Sequence, residues 1–144
     1  MTLFSAELTT AITQASAATA ALAAGKGPGV FPTAEQTVAA SATIATYVAP
    51  AGGTITAVGA FNGTPMTGNR TITVQVLIGA TSVFTGATPI LLDAAAAGNV
   101  VNGTINVAAN TFAKGSVITV VTVYTAGTGG GGGLLKASVG YQLT

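Results

Sequence analysis

Residues 71–84 read TITVQVLIGATSVF, and this stretch decides the fold. Apolar and polar side chains alternate over its first eight residues, which is typical of a β-strand with one buried face. Gly79 and Ala80 then turn the chain before a second short run, TSVF, so the segment predicts two strands joined by a tight turn. The expected inward set of the first strand is Ile72, Val74, Val76 and Ile78.

The same pattern recurs on both sides of this stretch. Further short runs rich in β-branched residues, separated by Gly, Pro and Asn, lie at 43–49, 54–61, 88–92, 100–107, 117–125 and 134–143. About eight regularly spaced strands predict an all-β fold, a jelly-roll-like antiparallel β-sandwich. The last strand has its own expected inward set, Leu135, Ala137, Val139, Tyr141 and Leu143.

Residues 117–125, VITVVTVYT, are apolar on both faces. Ile118, Val120 and Tyr124 alternate with a second apolar set on the opposite face, Val117, Val121 and Val123. A strand with two apolar faces is typically central and covered on both sides. We expect the second face to be covered by the N-terminal helix or by another subunit.

The N-terminal part differs from the rest of the chain. Phe4, Leu8, Ile12, Ala15 and Leu22 fall on one helical stripe, which predicts an α-helix within residues 3–24. Such an Ala-rich helix needs a partner surface, either its own domain or a neighbouring subunit. Residues 25–36, GKGPGVFPTAEQ, predict a linker because they contain three glycines and two prolines. We therefore expect an arm at 1–36, a β-sandwich domain at 37–144, and neither a cleavable signal nor a transmembrane helix.

Charge is scarce in this chain. Four basic and three acidic residues make up 5% of 144 residues and give a net charge of +1, whereas soluble domains commonly have about 25% charged residues. Without a basic patch, we expect no binding to nucleic acid and none to an anionic membrane. The chain also has no cysteine and no histidine, so we predict no metal site and no cofactor.

Candidate catalytic groups do not form a recognisable set. Glu7, Glu35 and Asp93 fall in three separate segments, and nothing in the sequence brings two carboxylates together for acid–base chemistry. Lys114 and Ser116 are better interpreted as a turn than as a nucleophile pair. We expect that the protein is not an enzyme.

The glycine run at 129–133 raises the question of a nucleotide site. Gly127, Gly129 and Gly132 satisfy the G-x-G-x-x-G pattern. That pattern requires a following helix and an acidic residue, but residues 134–144, LLKASVGYQLT, have the pattern of a strand and contain no carboxylate. We therefore predict a flexible hairpin loop joining the last two strands.

The aromatic residues leave two interpretations open. They could form a carbohydrate-binding platform, or they could fill the core of the sandwich. We favour core filling because each lies at an alternating strand position and the chain has no tryptophan. These residues are Tyr47, Phe61, Phe84, Phe112, Tyr124 and Tyr141.

Two stretches resemble a recurring β-domain of tailed-bacteriophage virion proteins. They are YVAPAGGTITAVGAFNGTPMTGNRTITVQVLIGATSVFTGATPILL, at 47–92, and FAKGSVITVVTVYTAGTGGGGGLLKASVGYQL, at 112–143. The chain departs from the family pattern at Gly79 and Ala80, where Asn and Gly are usual, and at Ser116, where Asp is common. All three are turn positions, so the similarity bears on architecture and supplies no catalytic residue.

The resemblance implies a capsid decoration, or cement, protein of the head-fibre type. Its expected partners are the major capsid protein and further copies of itself, as a homotrimer on the capsid exterior of the virion. The alternatives are a tail or fibre subunit that attaches to a host surface, and a carbohydrate-binding module. The residues expected to contact the capsid or a neighbouring subunit are Phe4, Leu8, Ile12, Leu22, Val30 and Phe31.

Overall fold

The computed structural model describes residues 10–14, 27–64, 67–93, 98–128 and 133–144. Residues 10–14 are helical and belong to the predicted N-terminal helix. The rest of that helix, with Phe4, Leu8 and Leu22, lies outside the described residues. Within the described ranges, no helix combines the length and apolar character that a membrane span requires. From residue 27 onward the described chain is mostly β-strand, as the alternating pattern predicts.

The strands form two antiparallel sheets. The first sheet contains β1 (Gly27–Pro32), β2 (Gln36–Val38), β4 (Gly53–Asn62), β8 (Val100–Asn102), β9 (Thr111–Phe112) and β11 (Gly133–Leu143). The second sheet contains β3 (Ala42–Val48), β5 (Thr71–Ile78), β6 (Thr81–Ser82), β7 (Ile90–Leu92) and β10 (Val117–Thr125). A single 3₁₀ turn, Thr85–Ala87, links β6 to β7.

Pairing of the strands is nested in chain order, so the first strands pair with the last and the middle strands pair with each other. β1 and β2 both pair with β11, β3 pairs with β10, β4 pairs with β8 and β9, and β5 pairs with β6 and β7. Two short strands that pair with the same side of one partner together take the place of one longer strand in the sheet. The eleven strands in the described ranges therefore fill eight positions, each sheet being four strands wide. This nested order is that of a jelly roll, so the predicted fold class is confirmed.

The core lies between the two inner faces. Both inward sets predicted from the sequence point into it, although Ile78, Tyr141 and Leu143 are only partly buried. A register shift between Gly140 and Tyr141 interrupts the pairing of β11 with β4 near its end. The most deeply buried large side chains are Ile55, Val58, Ile72, Val74, Val76, Val83, Phe84, Leu92, Ile118, Val120, Leu135 and Val139.

The predicted linker at 25–36 contains a strand, which corrects that interpretation. Residues 27–32 form β1 and pair with residues 138–143 of β11. Pro28 and Pro32 do not prevent this, because an edge strand needs to donate hydrogen bonds on one side only. Thr33 extends the attachment of this segment to β11, since its hydroxyl accepts a hydrogen bond from the Ala137 amide at 2.8 Å. The β-sandwich therefore begins at least ten residues before residue 37.

Phe31 joins the two sheets where β1 and β3 lie at neighbouring edges. Its ring stacks on Tyr47 of β3, with centroids 4.5 Å apart, and on Tyr141 of β11, with centroids 4.2 Å apart. Gly29, paired with Tyr141, lies directly under the tyrosine ring, where any β-carbon would collide with it. The three-ring stack therefore closes this side of the sandwich.

The glycine run connects strands of different sheets. β10 is central in the second sheet and β11 is central in the first, so the connection at 126–132 crosses the sandwich and the predicted hairpin is corrected. Residues 129–132 lie outside the described residues. Gly127 packs against the β4–β5 connection, where an added methyl group would lie 2.7 Å from the Arg70 backbone nitrogen. Glycine at this position permits the close approach of two backbones.

Asn62 is a buried polar residue at the end of β4. Its main chain is well bonded, because its carbonyl oxygen accepts a bond from Gly98 N at 3.0 Å. Its side chain is fully buried, and neither amide atom has a hydrogen-bond partner in the described structure. A buried amide without a partner costs free energy relative to an apolar group of the same shape.

The aromatic stack predicts the effect of Phe31→Ala. Loss of the ring removes contacts with both tyrosines, so we expect the free energy of unfolding to fall by about 2–3 kcal/mol. Phe61→Ala is the control, because Phe61 lies on the outer face of the first sheet and should cost less than about 1 kcal/mol. Urea unfolding followed by tyrosine fluorescence measures both. Equal losses would show that the stack does not join the sheets.

The unpaired amide predicts that Asn62→Leu raises the free energy of unfolding by about 1 kcal/mol. Leucine has a similar shape and no polar atom to leave unbonded. Asn102→Leu, at an exposed position of β8, is the control and should change stability by less than about 0.5 kcal/mol. If urea unfolding instead shows that Asn62→Leu is destabilising, the amide is bonded in solution, for example to an internal water.

Candidate functional site: the outer face of the second sheet

Charged side chains are absent from one whole sheet. Of the charged residues in the described part of the chain, Lys136 lies on β11 of the first sheet, and the others lie in connections. The Lys136 Nζ atom lies 3.0 Å from Glu35 Oε2. Both groups are substantially solvated, so this pair contributes little to stability. The five strands of the second sheet contain no Asp, Glu, Lys or Arg.

The register of the second sheet fixes which residues share its outer face. Val123 of β10 is paired with Thr73 of β5, which in turn is paired with Leu91 of β7. At the other end of β10, Val117 is paired with Val48 of β3. Directly paired residues project to the same side, so these two rows lie on one face. Between them lie Thr46, Thr119, Leu77, Val121 and Gln75.

Several apolar side chains on this outer face are open to solvent. Val48 is 65% exposed, Val123 50%, Leu91 49% and Val117 43%. The predicted second apolar face of β10 is therefore present. Threonines on the same face make the surface mixed in polarity but add no charge. Burying such a face requires no desolvation of an ion. Covering of this face by the N-terminal helix or by another subunit remains a prediction.

The predicted contact residues fall into three groups. Phe4, Leu8 and Leu22 lie outside the described residues. Ile12 and Val30 are exposed, so they are available to a partner. Phe31 is partly buried in the aromatic stack. Sequence analysis did not identify Val48 or Leu91, because their shared face follows from strand register and not from local pattern.

The aromatic side chains do not form a single exposed platform. Phe84 and Phe112 are buried, which confirms core filling for these two rings. Phe61 lies on the outer face of the first sheet beside Lys136, so core filling was wrong for this ring. Tyr47 and Tyr141 belong to the stack around Phe31, and the Arg70 guanidinium lies 5.9 Å from the ring centre of Tyr124. The Tyr47 hydroxyl donates a hydrogen bond to the Pro32 carbonyl oxygen at 2.6 Å, and burial raises the pKa of this phenol.

Glu35 and Asp93, the two carboxylates in the described part of the chain, lie in different connections. Glu35 pairs with Lys136, Asp93 follows β7, and Glu7 lies outside the described residues. Ser116 forms a turn in which its hydroxyl accepts a bond from the Ala113 amide at 3.1 Å, as predicted. Among the residues that the structure describes, no three acidic, His or Cys side chains come together to hold a metal.

Comparison with protein-family models, with curated proteins and with solved structures finds no match to this chain.

The partly buried Tyr47 phenol predicts a loss of stability at alkaline pH. The pKa of Tyr47 in the folded state lies above the unfolded value of about 10. Its contribution is therefore complete below that pH and is lost as the pH rises through the folded-state pKa. We expect the urea midpoint to fall as the pH rises above about 10, with a shallower fall in Tyr47→Phe. If the urea midpoint falls equally steeply with pH in wild type and in Tyr47→Phe, the loss of stability does not arise from the Tyr47 phenol.

Proposed function

We propose that this protein is a non-enzymatic structural component of a bacteriophage virion that binds the outer surface of the capsid and strengthens it. One observation carries the proposal, which is the uncharged and partly apolar outer face of the second sheet. The resemblance of residues 47–92 and 112–143 to virion β-domains supports it. Copies of the chain would associate as a small oligomer, in our proposal a homotrimer.

An uncharged sheet face suits a permanent structural contact. Charged residues are depleted at the cores of protein interfaces, and each buried ion needs a partner to offset its desolvation. A face with no formal charge can pack against another copy of itself without like-charge repulsion. It can also pack against a capsid protein without a matched set of opposite charges.

The size of this face indicates that a second contact is needed. With a strand spacing of about 4.8 Å and a rise of about 3.3 Å per residue, four strands of about eight residues cover about 500 Å². A stable interface commonly buries about 800 Å² on each partner. The exposed Ile12 and Val30, in the arm and on β1, are candidates for the additional contact.

A tail or fibre subunit that attaches to a host surface is the second candidate function. The described ends of the connections β2–β3, β4–β5, β7–β8 and β10–β11 lie at the same end of the jelly roll. Two of them are in contact, because the Thr128 hydroxyl donates a hydrogen bond to Asn69 Oδ1 at 3.4 Å. Loops held together at one end of a rigid scaffold are a common arrangement for recognition.

Co-sedimentation with capsids that lack this protein tests the proposal. We expect saturable binding at a fixed ratio to the major capsid protein, and a higher melting temperature for the decorated capsid. Val123→Lys places a charge on the outer face and should weaken binding by about tenfold or more. Val107→Lys is the matched control, because Val107 is 84% exposed and lies outside the second sheet.

Each outcome of this experiment has a separate meaning. If wild-type protein does not sediment with capsids, the capsid role is wrong and the attachment role is favoured. If Val123→Lys binds as well as Val107→Lys, the capsid is bound through another surface. Analytical ultracentrifugation of the same three proteins reports the oligomer separately, and urea unfolding confirms that both variants are folded.

A further inference from the structure

A small pocket lies on the outer face of the first sheet. Gly59 of β4 is paired with Ser138 of β11 on one side and with Asn102 of β8 on the other. Directly paired residues project to the same side, so the glycine leaves a gap between two polar side chains. The space there has a volume of about 220 Å³, and Phe61 and Pro32 also border it.

Gly59 forms the floor of this pocket. A β-carbon added at Gly59 would lie 3.0 Å from Asn102 Oδ1, 3.4 Å from Val100 Cγ1 and 3.8 Å from Ser138 Oγ. The side chains of these three neighbours are exposed, so they are available to a ligand. A ligand group above the glycine is therefore flanked by an amide on one side and by a hydroxyl on the other.

Phe61 forms one wall of the pocket. Its ring lies towards Gly63, where an added β-carbon would be 3.3 Å from the ring atom Cε1. The ring is partly exposed and leaves the space above Gly59 open. An aromatic ring presents a flat apolar face with negative partial charge. The C–H groups on one face of a sugar ring pack well against such a surface.

The charge and the size of the pocket restrict its ligand. Lys136 borders the pocket, and its Nζ atom lies 3.0 Å from Glu35 Oε2, so the two charges balance. An anionic ligand would have to compete with this carboxylate. Pockets for drug-sized ligands have volumes of about 300–1,000 Å³, so a smaller space suits a single ring.

We infer that this pocket binds one ring of a neutral carbohydrate. The C–H face of the sugar packs on Phe61, and its hydroxyl groups bond with the Ser138 hydroxyl and the Asn102 amide. Both of these side chains donate and accept hydrogen bonds, as a sugar hydroxyl does. An entirely apolar ligand would leave them without partners. The inference stands independently of the proposed capsid role.

A printed array of neutral and anionic glycans, probed with the full-length protein, tests this inference. We expect binding to neutral glycans that share one terminal monosaccharide. The methyl glycoside of that monosaccharide is then titrated into the protein and followed by NMR. It should shift the amide signals of residues 59–61, 100–102 and 136–138, which surround the pocket.

Two pairs of variants separate the floor of the pocket from its aromatic wall. Gly59→Val fills the floor without removing a binding group and should weaken binding by about tenfold or more. Ala57→Val is its control and should bind within about twofold of wild type, because Ala57 is exposed on the same strand but does not line the pocket. Phe61→Leu removes the ring and should weaken binding by about fivefold, whereas Phe61→Tyr keeps the ring and should bind nearly as well as wild type.

The inference is overturned if the array shows binding to anionic glycans alone or to no glycan. Equal binding by Gly59→Val and Ala57→Val would also overturn it, because the ligand would then lie elsewhere. Equal binding by Phe61→Leu and Phe61→Tyr would overturn the stacking on Phe61. Urea unfolding confirms that the four variants are folded. No capsid is used, so these results are separate from a failure of the capsid role.

Discussion

The position of the last two strands determines the rest of this fold. β10 lies between β3 and β5 in the second sheet, and β11 lies between β1 with β2 and β4 in the first. Their inward residues, among them Ile118, Val120, Leu135 and Val139, are completely buried. Each earlier strand that pairs with them is thereby placed on one of the two sheets. The sandwich therefore depends on two strands, β10 and β11, that are consecutive in the chain but belong to different sheets.

Local pattern predicted the longer strands well because their inner faces are mostly apolar, with Asn62 and Thr122 as buried polar exceptions. The predicted ranges 43–49, 54–61, 71–78, 117–125 and 134–143 agree closely with β3, β4, β5, β10 and β11. The short edge strands were less predictable. β6 contains only Thr81–Ser82, and β9 only Thr111–Phe112, because edge segments gain fewer ladder bonds and their limits depend on their neighbours. The prolines and glycines of β1 led to the prediction of a linker, although an edge strand tolerates such residues.

Pairing order could not be read from the sequence, and the corrected connection at 126–132 illustrates why. A strand, a glycine-rich connection and a second strand are also the pattern of a hairpin. Whether the second strand returns beside the first or crosses to the other sheet depends on contacts made by β4, far away in the chain. Alternation of apolar side chains also predicted the outer face of the second sheet, but only for the residues of β10. Its extension to Val48 and Leu91 requires the register of three strand pairs.

The outer face of the second sheet ends at Leu91. This residue ends the row that contains Val123 and Thr73, and β7 occupies the edge position beside β5. The edge limits the uncharged face to four strands and about 500 Å², below the roughly 800 Å² that each partner of a stable interface commonly buries. A contact through this sheet alone is therefore small, which is why the proposed structural role also uses the exposed Ile12 and Val30.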